Sequence, residues 1–262
     1  MIDQQKLGFV FTNYNNSAFT EDAIKSIEKF NDQLFPIIVV DNFSEPEDVN
    51  DLKRIENQYS NVKIIFSDEN VGYFRGLNIG IDFLKVYYPE VKLMVIGNND
   101  VLFPIDFYQS ILNNNALVKK YSVISPNIIT ADGVHQNPHV IEKISKIREF
   151  VYDIYHLNYF FAKCIIKLAK ITHSFTDRDD EASNDIAQEI YQGYGACYIL
   201  TPKFFEYFLS KQLSDKGCKI FYEPSIKLTH LMHATTDKLP GKLKWKFSRA
   251  AHKEYRKYVK VI

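Results

Sequence analysis

Three polar residues interrupt an apolar run in the chain, and their types suit metal chemistry. The segment LMVIGNNDVLF, residues 93–103, stops on Asn98, Asn99 and Asp100 before it becomes apolar again. A carboxylate at the end of a buried strand is costly without a partner charge. A divalent cation that bridges Asp100 to a diphosphate would supply one, because Mg²⁺ and Mn²⁺ prefer oxygen ligands and keep positions open for phosphate. The alternative is that Asp100 caps a helix expected near Pro104.

Short apolar runs that alternate with helical segments would position these residues. LGFVFT, FPIIVVD, VKIIF, KLMVIG and YSVIS have the length and composition of buried strands. After the second run, Ser44 is a candidate N-cap, with Pro46 in the first turn and Glu47 three residues after the serine. Strands that are apolar on both faces and alternate with helices predict an α/β fold, in which helices flank a mostly parallel central sheet.

Polar residues follow each of the first four predicted strands, in the segments TNYNN, DNFS, DENVGYFRGLNIG and NND. Ligands of such sheets bind at the carboxyl ends of the strands. Each segment alone is ordinary turn composition, but the four together predict a ligand site. Gly72, Gly76 and Gly80 would let the backbone approach a phosphate at a helix start. The first strand is not followed by GxGxxG, which argues against a nicotinamide enzyme.

Charge, cysteines and the N-terminus narrow the function classes. Lys and Arg number 32 and Asp and Glu number 32, so the net charge gives no reason to expect a nucleic-acid partner. Cys164, Cys197 and Cys218 lack metal-type spacing and are predicted to be reduced packing residues. The N-terminus lacks the features of a secretory signal, which predicts a cytoplasmic protein.

An apolar segment from Phe150, FVYDIYHLNYFFAKCIIKLAKI, contains too many polar residues for a membrane span. It is predicted to be one amphipathic helix, with an apolar face that could serve a homodimer or a membrane.

The ordered motifs resemble a known family. VFTNYN, IIVVDNFS, NVGYFRGLNIG and VIGNNDV look like the nucleotide-sugar half of the family 2 glycosyltransferases, inverting enzymes of the GT-A fold. HQNPHV, GYGACYILTPKFF and GCKIFYEPSIKLTHLMHATT resemble the acceptor half of the bacterial, rhamnosyltransferase-like branch. The resemblance implies a nucleotide-sugar half at 1–130, an acceptor-binding half at 131–237 and a basic helical tail at 238–262.

The resemblance also implies roles for single residues. Asp41 would bond the pyrimidine base, and Asn98, Asn99 and Asp100 would stand at the DxD triplet, with Asp100 and His230 at the metal, Mn²⁺ or Mg²⁺. Asn98 replaces the first Asp of the triplet, which is expected to weaken metal binding. The remaining nucleotide-sugar contacts would come from Thr12, Asn13, Tyr14, Asn70, Gly72 and Arg75, and the contacts beside the transferred sugar from Gly195, Ala196 and Cys197.

One departure from the family concerns the catalytic base. Relatives have an acidic pair before the glycine matched by Gly217, and its second member falls on Glu206 here. The loop that carries the first acid is lacking between Phe205 and Glu206. Either the protein has lost this loop or residues are missing from the sequence at this point, and we expect the second.

The reaction implied is inverting transfer of a sugar from a UDP- or dTDP-type donor to a hydroxyl of a saccharide or lipid-linked acceptor, in bacterial surface polysaccharide synthesis such as that of capsule or lipopolysaccharide. Glu206 would act as general base, and the metal would stabilise the departing diphosphate. A glycosidase reading explains none of the nucleotide-pocket residues. A non-catalytic nucleotide-sugar or glycan binding protein, derived from a transferase, stays open because the acidic pair is incomplete.

The C-terminal tail is rich in Lys and Arg, with interleaved aromatic residues and Glu254 as its only acid after residue 238. A solvated surface helix explains this composition, and so does peripheral contact with an anionic membrane. Nucleic acid is not indicated, because no recognition motif accompanies the charge. The membrane reading would place the enzyme at the inner face of the cell membrane.

Overall fold

The chain forms two compact units. The structure is a computed structural model, and it describes residues 6–30, 34–138, 146–172, 184–208, 220–231 and 241–258. Unit 1 comprises Met1–Ile141 and Ser183–Met232, and unit 2 comprises Glu142–Ala182 and His233–Ile262. Residues 142–182, which the motifs assigned to the acceptor half, therefore cluster with the C-terminal helix.

The strands of unit 1 form one sheet. They are β1 (Lys6–Asn13), β2 (Ile37–Asp41), β3 (Val62–Phe66), β4 (Val91–Asn98), β5 (Val101–Leu102), β6 (Val123–Thr130), β7 (Gln188–Ile190), β8 (Cys197–Leu200) and β9 (Ile220–His230). Their order is β3-β2-β1-β4-β8-β6-β9-β5, and β7 pairs with β9. Strands β1 to β4, β6 and β9 share one direction, whereas β5, β7 and β8 run against them. The predicted mostly parallel sheet is confirmed, and the five predicted strands correspond to β1, β2, β3, β4 and β6.

The helices are α1 (Ser17–Ile27), α2 (Pro46–Gln58), α3 (Tyr73–Tyr87), α4 (Phe107–Asn113), α5 (Asn115–Lys120), α6 (Lys146–Leu157), α7 (Tyr159–Thr172), α8 (Pro202–Phe208) and α9 (Gly241–Tyr258). Helices α6, α7 and α9 belong to unit 2. None of the helices in the described ranges is long and apolar enough to cross a membrane.

Glycines allow α3 to lie close to β1. A Cβ atom on Gly80 would lie 2.3 Å from Cγ1 of Val10, and one on Gly76 would lie 2.8 Å from Cγ2 of Thr12. Both glycines are buried inside the helix. They therefore serve the packing of helix on sheet, and the prediction that they border a phosphate is wrong.

Ser44 does not cap α2. The N-cap is Glu45, and Pro46 is the first helical residue as predicted. The Ser44 hydroxyl instead donates to Oδ1 of Asp41 at 2.5 Å and accepts from the Asn15 amide at 2.8 Å. The serine thus joins the loops after β1 and β2, at the edge where the site is predicted.

The apolar segment from Phe150 lies in two helices, α6 and α7, where the sequence predicted one. Helices α6 and α7 are separated by Asn158, whose side-chain oxygen accepts from the amides of Phe160 and Phe161 at 3.0 and 3.1 Å. This asparagine is an N-cap, which ends one helix and starts the next. Cys164 on α7 is exposed, against its predicted packing role, whereas Cys197 is buried. Cys218 lies outside the described residues.

Candidate functional site

The chain reverses direction at the polar triplet. Strand β4 ends at Asn98, and β5 begins at Val101 and pairs with β9, so that Val101 lies opposite His230. The apolar run resumes after Asp100 because Val101 and Phe103 are both buried on the far side of this turn. The turn sends the side chains of Asn99 and Asp100 to different neighbours.

Asn99 is buried among the residues at the start of α1. Its side-chain amide donates to Oδ1 of Asn13 at 3.0 Å, to Oγ1 of Thr20 at 2.8 Å and to the carbonyl of Asn16 at 3.2 Å. Thr20 in turn donates to Oδ1 of Asn13. In this structure Asn99 and Asn13 hold α1 against the strand ends, and their contact with a nucleotide stays a prediction.

Asp41 is almost fully buried and belongs to the same network. Its Oδ1 accepts from Nδ2 of Asn13 at 2.9 Å, and its Oδ2 accepts from the Ser44 amide at 3.1 Å. The side-chain amide of Asn13 also donates to Oδ2 of Asp48 at 2.7 Å. The other oxygen of Asp48 accepts from the backbone amide of Ser17. Asp41 thus organises the loop that follows β2, and its hydrogen bond to a base stays a prediction.

Asp100 and His230 meet at the end of the sheet. Nε2 of His230 lies 3.1 Å from Oδ1 of Asp100 and 3.4 Å from Nδ2 of Asn98. Nδ1 of His230 lies 2.8 Å from Oε1 of Gln136. Asp100 and His230 are both buried. The helix that follows, α4, has Asp106 as its N-cap, so Asp100 does not cap it.

This arrangement suits a cation beside Asp100. The two ring nitrogens of His230 face Gln136 and Asp100, and which of them donates depends on the tautomer. When Nδ1 donates to the Gln136 oxygen, Nε2 presents a lone pair beside the Asp100 carboxylate, and the two groups form a pair of metal ligands. Metal-bound histidines usually donate their other ring N–H to an acceptor, which is the role that Gln136 has here.

The two side chains fit a divalent cation as a partial ligand set. Among the described residues, no group of three or more His, Cys, Asp or Glu could hold a metal. One carboxylate and one imidazole leave most positions of Mg²⁺ or Mn²⁺ to other ligands, as is usual where substrate phosphates complete the shell. The site therefore fits a metal that binds together with a phosphorylated ligand.

The loop before α3 lies along the same edge of the sheet. Gly72 is the N-cap of α3 and has a φ of 82°, a conformation that favours glycine. Its amide donates to the exposed Asn70 at 3.1 Å, and Arg75 is also exposed. Tyr14, after β1, is 41% exposed. Contacts of these residues with a ribose or a diphosphate stay predictions.

Gly195, Ala196 and Cys197 lie beside the end of β4. The Ala196 carbonyl accepts from the Asn98 amide at 2.9 Å, and a Cβ atom on Gly97 would lie 2.1 Å from that carbonyl oxygen. The hydroxyl of Tyr73 donates to the Gly195 carbonyl at 2.7 Å. Burial raises the pKa of the Cys197 thiol, so it stays protonated and is a poor metal ligand. The structure thus brings this predicted acceptor-side segment next to Asn98.

Glu206 lies on α8, and its side chain is outside the described residues. Helix α8 begins just after Leu200, which pairs with Met94 near the middle of β4, and β8 runs away from Asp100. The helix continues through Phe205 and Glu206, and the expectation of missing residues between them stays a prediction. The role of Glu206 as general base stays a prediction.

Gln136 and Tyr73 were not predicted as site residues. Both lie in segments that carried the resemblance, HQNPHV and NVGYFRGLNIG. Gln136 reaches His230 because its backbone amide bonds to the Ile128 carbonyl of β6, so the chain turns back along that strand. The motif marked the segment, but only the pairing of β6 with β9 shows which side chain faces the histidine.

The sheet order and the polar strand ends define a fold of the GT-A type. GalNAc-T7, crystallised with UDP, GalNAc and Mn²⁺, superposes with a TM-score of 0.57 at 12% identity over 90% of this chain and 45% of its own. The mannosyltransferase PcManGT from Pyrobaculum calidifontis, in complex with GDP-Man and Mn²⁺, has a TM-score of 0.55 at 12% identity over 98% of this chain and 66% of its own. At this identity the likeness shows the fold alone.

The family is shown by the sequence. Residues 9–164 match the family described as Glycosyl transferase family 2. The chain belongs to this family. No curated protein matches the chain by sequence. The chain spans 45% of GalNAc-T7 and 66% of PcManGT.

Proposed function

We propose that this chain transfers a sugar, with inversion, from a UDP- or dTDP-type donor to a hydroxyl of a saccharide or lipid-linked acceptor in bacterial surface polysaccharide synthesis, in the rhamnosyltransferase-like branch of the family. The observation that carries the proposal is the contact between Asp100 and His230 at the end of β4. Membership of the family supports a nucleotide-sugar donor. The similar structures that contain a nucleotide or nucleotide sugar with Mn²⁺ support a divalent metal.

We assign different roles to the residues of the site. Asp100 and His230 would hold Mn²⁺ or Mg²⁺, and Gln136 keeps the histidine oriented with Nε2 toward the carboxylate. When bound there, the metal would supply positive charge to neutralise a departing diphosphate. The exposed Arg75 and the amides at the start of α3 are available to the same diphosphate.

The acceptor hydroxyl needs a general base, which typically contributes about 10²- to 10⁴-fold in rate. Glu206 is the base implied by the family pattern. Its helix starts beyond the middle of β4, so the proposal requires that α8 or the chain after it brings the carboxylate to the acceptor. Glu206→Gln is therefore expected to retain donor binding and to lose transfer.

Thermal shift measurements with UDP, dTDP, GDP and CMP sugars, with and without Mn²⁺, test the donor and the metal together. We expect one nucleotide to stabilise the protein more in the presence of Mn²⁺. Asp100→Ala and His230→Gln should each remove the Mn²⁺-dependent part of that shift. Asp106→Ala, which changes an exposed carboxylate after the same strand pair, is the matched control and should keep it. An unchanged Mn²⁺-dependent shift in Asp100→Ala contradicts the metal site.

A second candidate function is non-catalytic binding of a nucleotide sugar or glycan. It is favoured by one observation, which is that α8 continues where relatives carry the first acid of the pair. Both candidates predict Mn²⁺-dependent nucleotide binding. They differ in turnover, because only a transferase releases free nucleotide from a donor and acceptor pair and forms a product whose anomeric configuration, read by NMR, is inverted.

A further inference from the structure

In unit 2, charged and polar side chains lie between helices α6 and α9. Helix α9 packs on α6 through charged and polar groups: Arg256 bonds Asp153 at 2.5 Å and Glu149 at 3.3 Å. Arg249 donates to the carbonyl of His156 at 2.8 Å, and the indole of Trp245 donates to the carbonyl of Tyr155 at 3.0 Å. The acidic and aromatic-polar side of α6 is therefore the side that α9 covers.

An adjacent side of α6 is apolar and exposed. Ile147, Phe150 and Leu157 are 76%, 64% and 58% exposed. Their spacing of three and seven residues places them on one face of the helix. Helix α7 continues the pattern with Phe160 at 70% and Leu168 at 59%. Exposed apolar side chains on two consecutive, contacting helices make these helices candidates for an interaction surface.

The three helices of unit 2 carry a strong excess of positive charge. Helices α6, α7 and α9 contain twelve Lys and Arg and three Asp and Glu. Two of the three acids, Glu149 and Asp153, are paired with Arg256 inside the unit. Lys163 and Lys167 are exposed on α7, among the apolar residues. Since the whole chain has no net charge, this excess is local to the helices.

We propose that the apolar face of α6 and α7, here called the docking face and formed by Ile147, Phe150, Leu157, Phe160 and Leu168, inserts into the surface of an anionic lipid bilayer. An interfacial helix with apolar residues on one face and lysines beside them gains both from burial and from attraction to anionic headgroups. A second copy of the same face would bring like charges together, which disfavours a homodimer.

The proposal goes beyond the transferase function and does not rest on it. It also assigns the basic tail a role other than direct contact with the membrane. Helix α9 supplies charge and covers the acidic side of α6, whereas the apolar insertion comes from α6 and α7. A bilayer-bound unit would suit a lipid-linked acceptor.

Vesicle flotation of the full chain tests the proposal, with neutral phosphatidylcholine vesicles and with vesicles that contain phosphatidylglycerol. We expect binding to the anionic vesicles that weakens with added salt. Phe150→Gln together with Phe160→Gln should weaken partitioning at least tenfold, or about 1.4 kcal/mol, because each phenyl ring loses its burial. The matched control is Val86→Gln together with Ile105→Gln in unit 1, where the parent side chains are 69% and 64% exposed. The control should bind like the parent.

Lys163→Gln together with Lys167→Gln tests the charge separately and should weaken anionic binding about fivefold for each lysine. This variant leaves the apolar residues in place, so it decides the proposal if the phenylalanine variant does not fold. Equal binding to neutral vesicles, or equal binding by the phenylalanine variant, overturns the proposal. A lipid-free dimer that the phenylalanine variant abolishes would identify the face as a self-association surface and would also overturn it.

Discussion

The substitution Asn99→Ala tests whether the Asn99 side chain holds helix α1 in place, a role distinct from that of its neighbour Asp100. The wild-type amide donates to Asn13, Asn16 and Thr20, all at 3.2 Å or less. Two of the three acceptors retain another donor in the variant, because Asn13 keeps the Thr20 hydroxyl and the Asn16 carbonyl keeps the Phe19 amide. The Thr20 hydroxyl keeps its own donation to Asn13. The cost is thus that of about two net hydrogen bonds, without a fully unsatisfied group, or about 2 kcal/mol.

Thermal unfolding in the absence of ligand measures this cost. For a chain of this size, a loss of about 2 kcal/mol corresponds to a fall in Tm of about 4–8 °C. Asn78→Ala, at an exposed position of α3, is the control and should change stability by less than about 0.5 kcal/mol. Asn99→Asp should be worse than alanine, because a buried carboxylate would then face the oxygens of Asn13 and Asn16.

The reasoning fails if Asn99→Ala unfolds at the wild-type temperature. It fails more informatively if the variant keeps its Tm but loses nucleotide binding. That result would show that the Asn99 side chain serves the ligand, as the family pattern implies, and not the attachment of α1.

Three further predictions concern other parts of the molecule. Gly80→Ala should destabilise unit 1 by about 1–3 kcal/mol in chemical denaturation, since its Cβ atom would lie 2.3 Å from Val10; unchanged stability would contradict the packing role. Burial lowers the pKa of His156, so NMR titration of the folded protein should give a pKa below the ordinary value of 6.5. Because the unfolded chain then binds this proton more readily, the free energy of unfolding should decrease as the pH falls below 6.5. A pKa at or above 6.5 would contradict the burial of this side chain. Tyr73→Phe, which removes the hydroxyl bonded to the Gly195 carbonyl, should lower the Tm by about 2–4 °C with the fold retained, and a full wild-type Tm would show that this bond is not formed in solution.

Strand positions followed from composition because a buried parallel strand leaves a short, continuous apolar run. β2 is the clearest case, since all five of its residues are buried. β8 and β9 were not predicted as strands, because β8 has only four residues and because Glu223, Pro224 and Lys227 interrupt the apolar residues of β9. β5 has only two residues and carries almost no pattern of its own. It exists because β9 lies alongside it.

The site was predictable as an edge of the sheet but not as a set of contacts. The resemblance placed Asp100 and His230 together at the metal, and they lie 3.1 Å apart. The sequence could not show that Asn99 turns the other way, because neighbouring residues in a tight turn have no fixed common face. Gln136 was also missed, since its position depends on how the chain turns back along β6.

The composition of unit 2 from two distant chain segments has a consequence for biosynthesis. Helices α6 and α7 leave the ribosome long before α9, which is the last helix of the described chain. Until α9 arrives, Glu149 and Asp153 lack Arg256, and the unit cannot close. N-terminal segments generally fold first during synthesis. Synthesis of α9 therefore has to precede assembly of the helical unit, and a truncation that removes α9 would leave α6 and α7 without their cover.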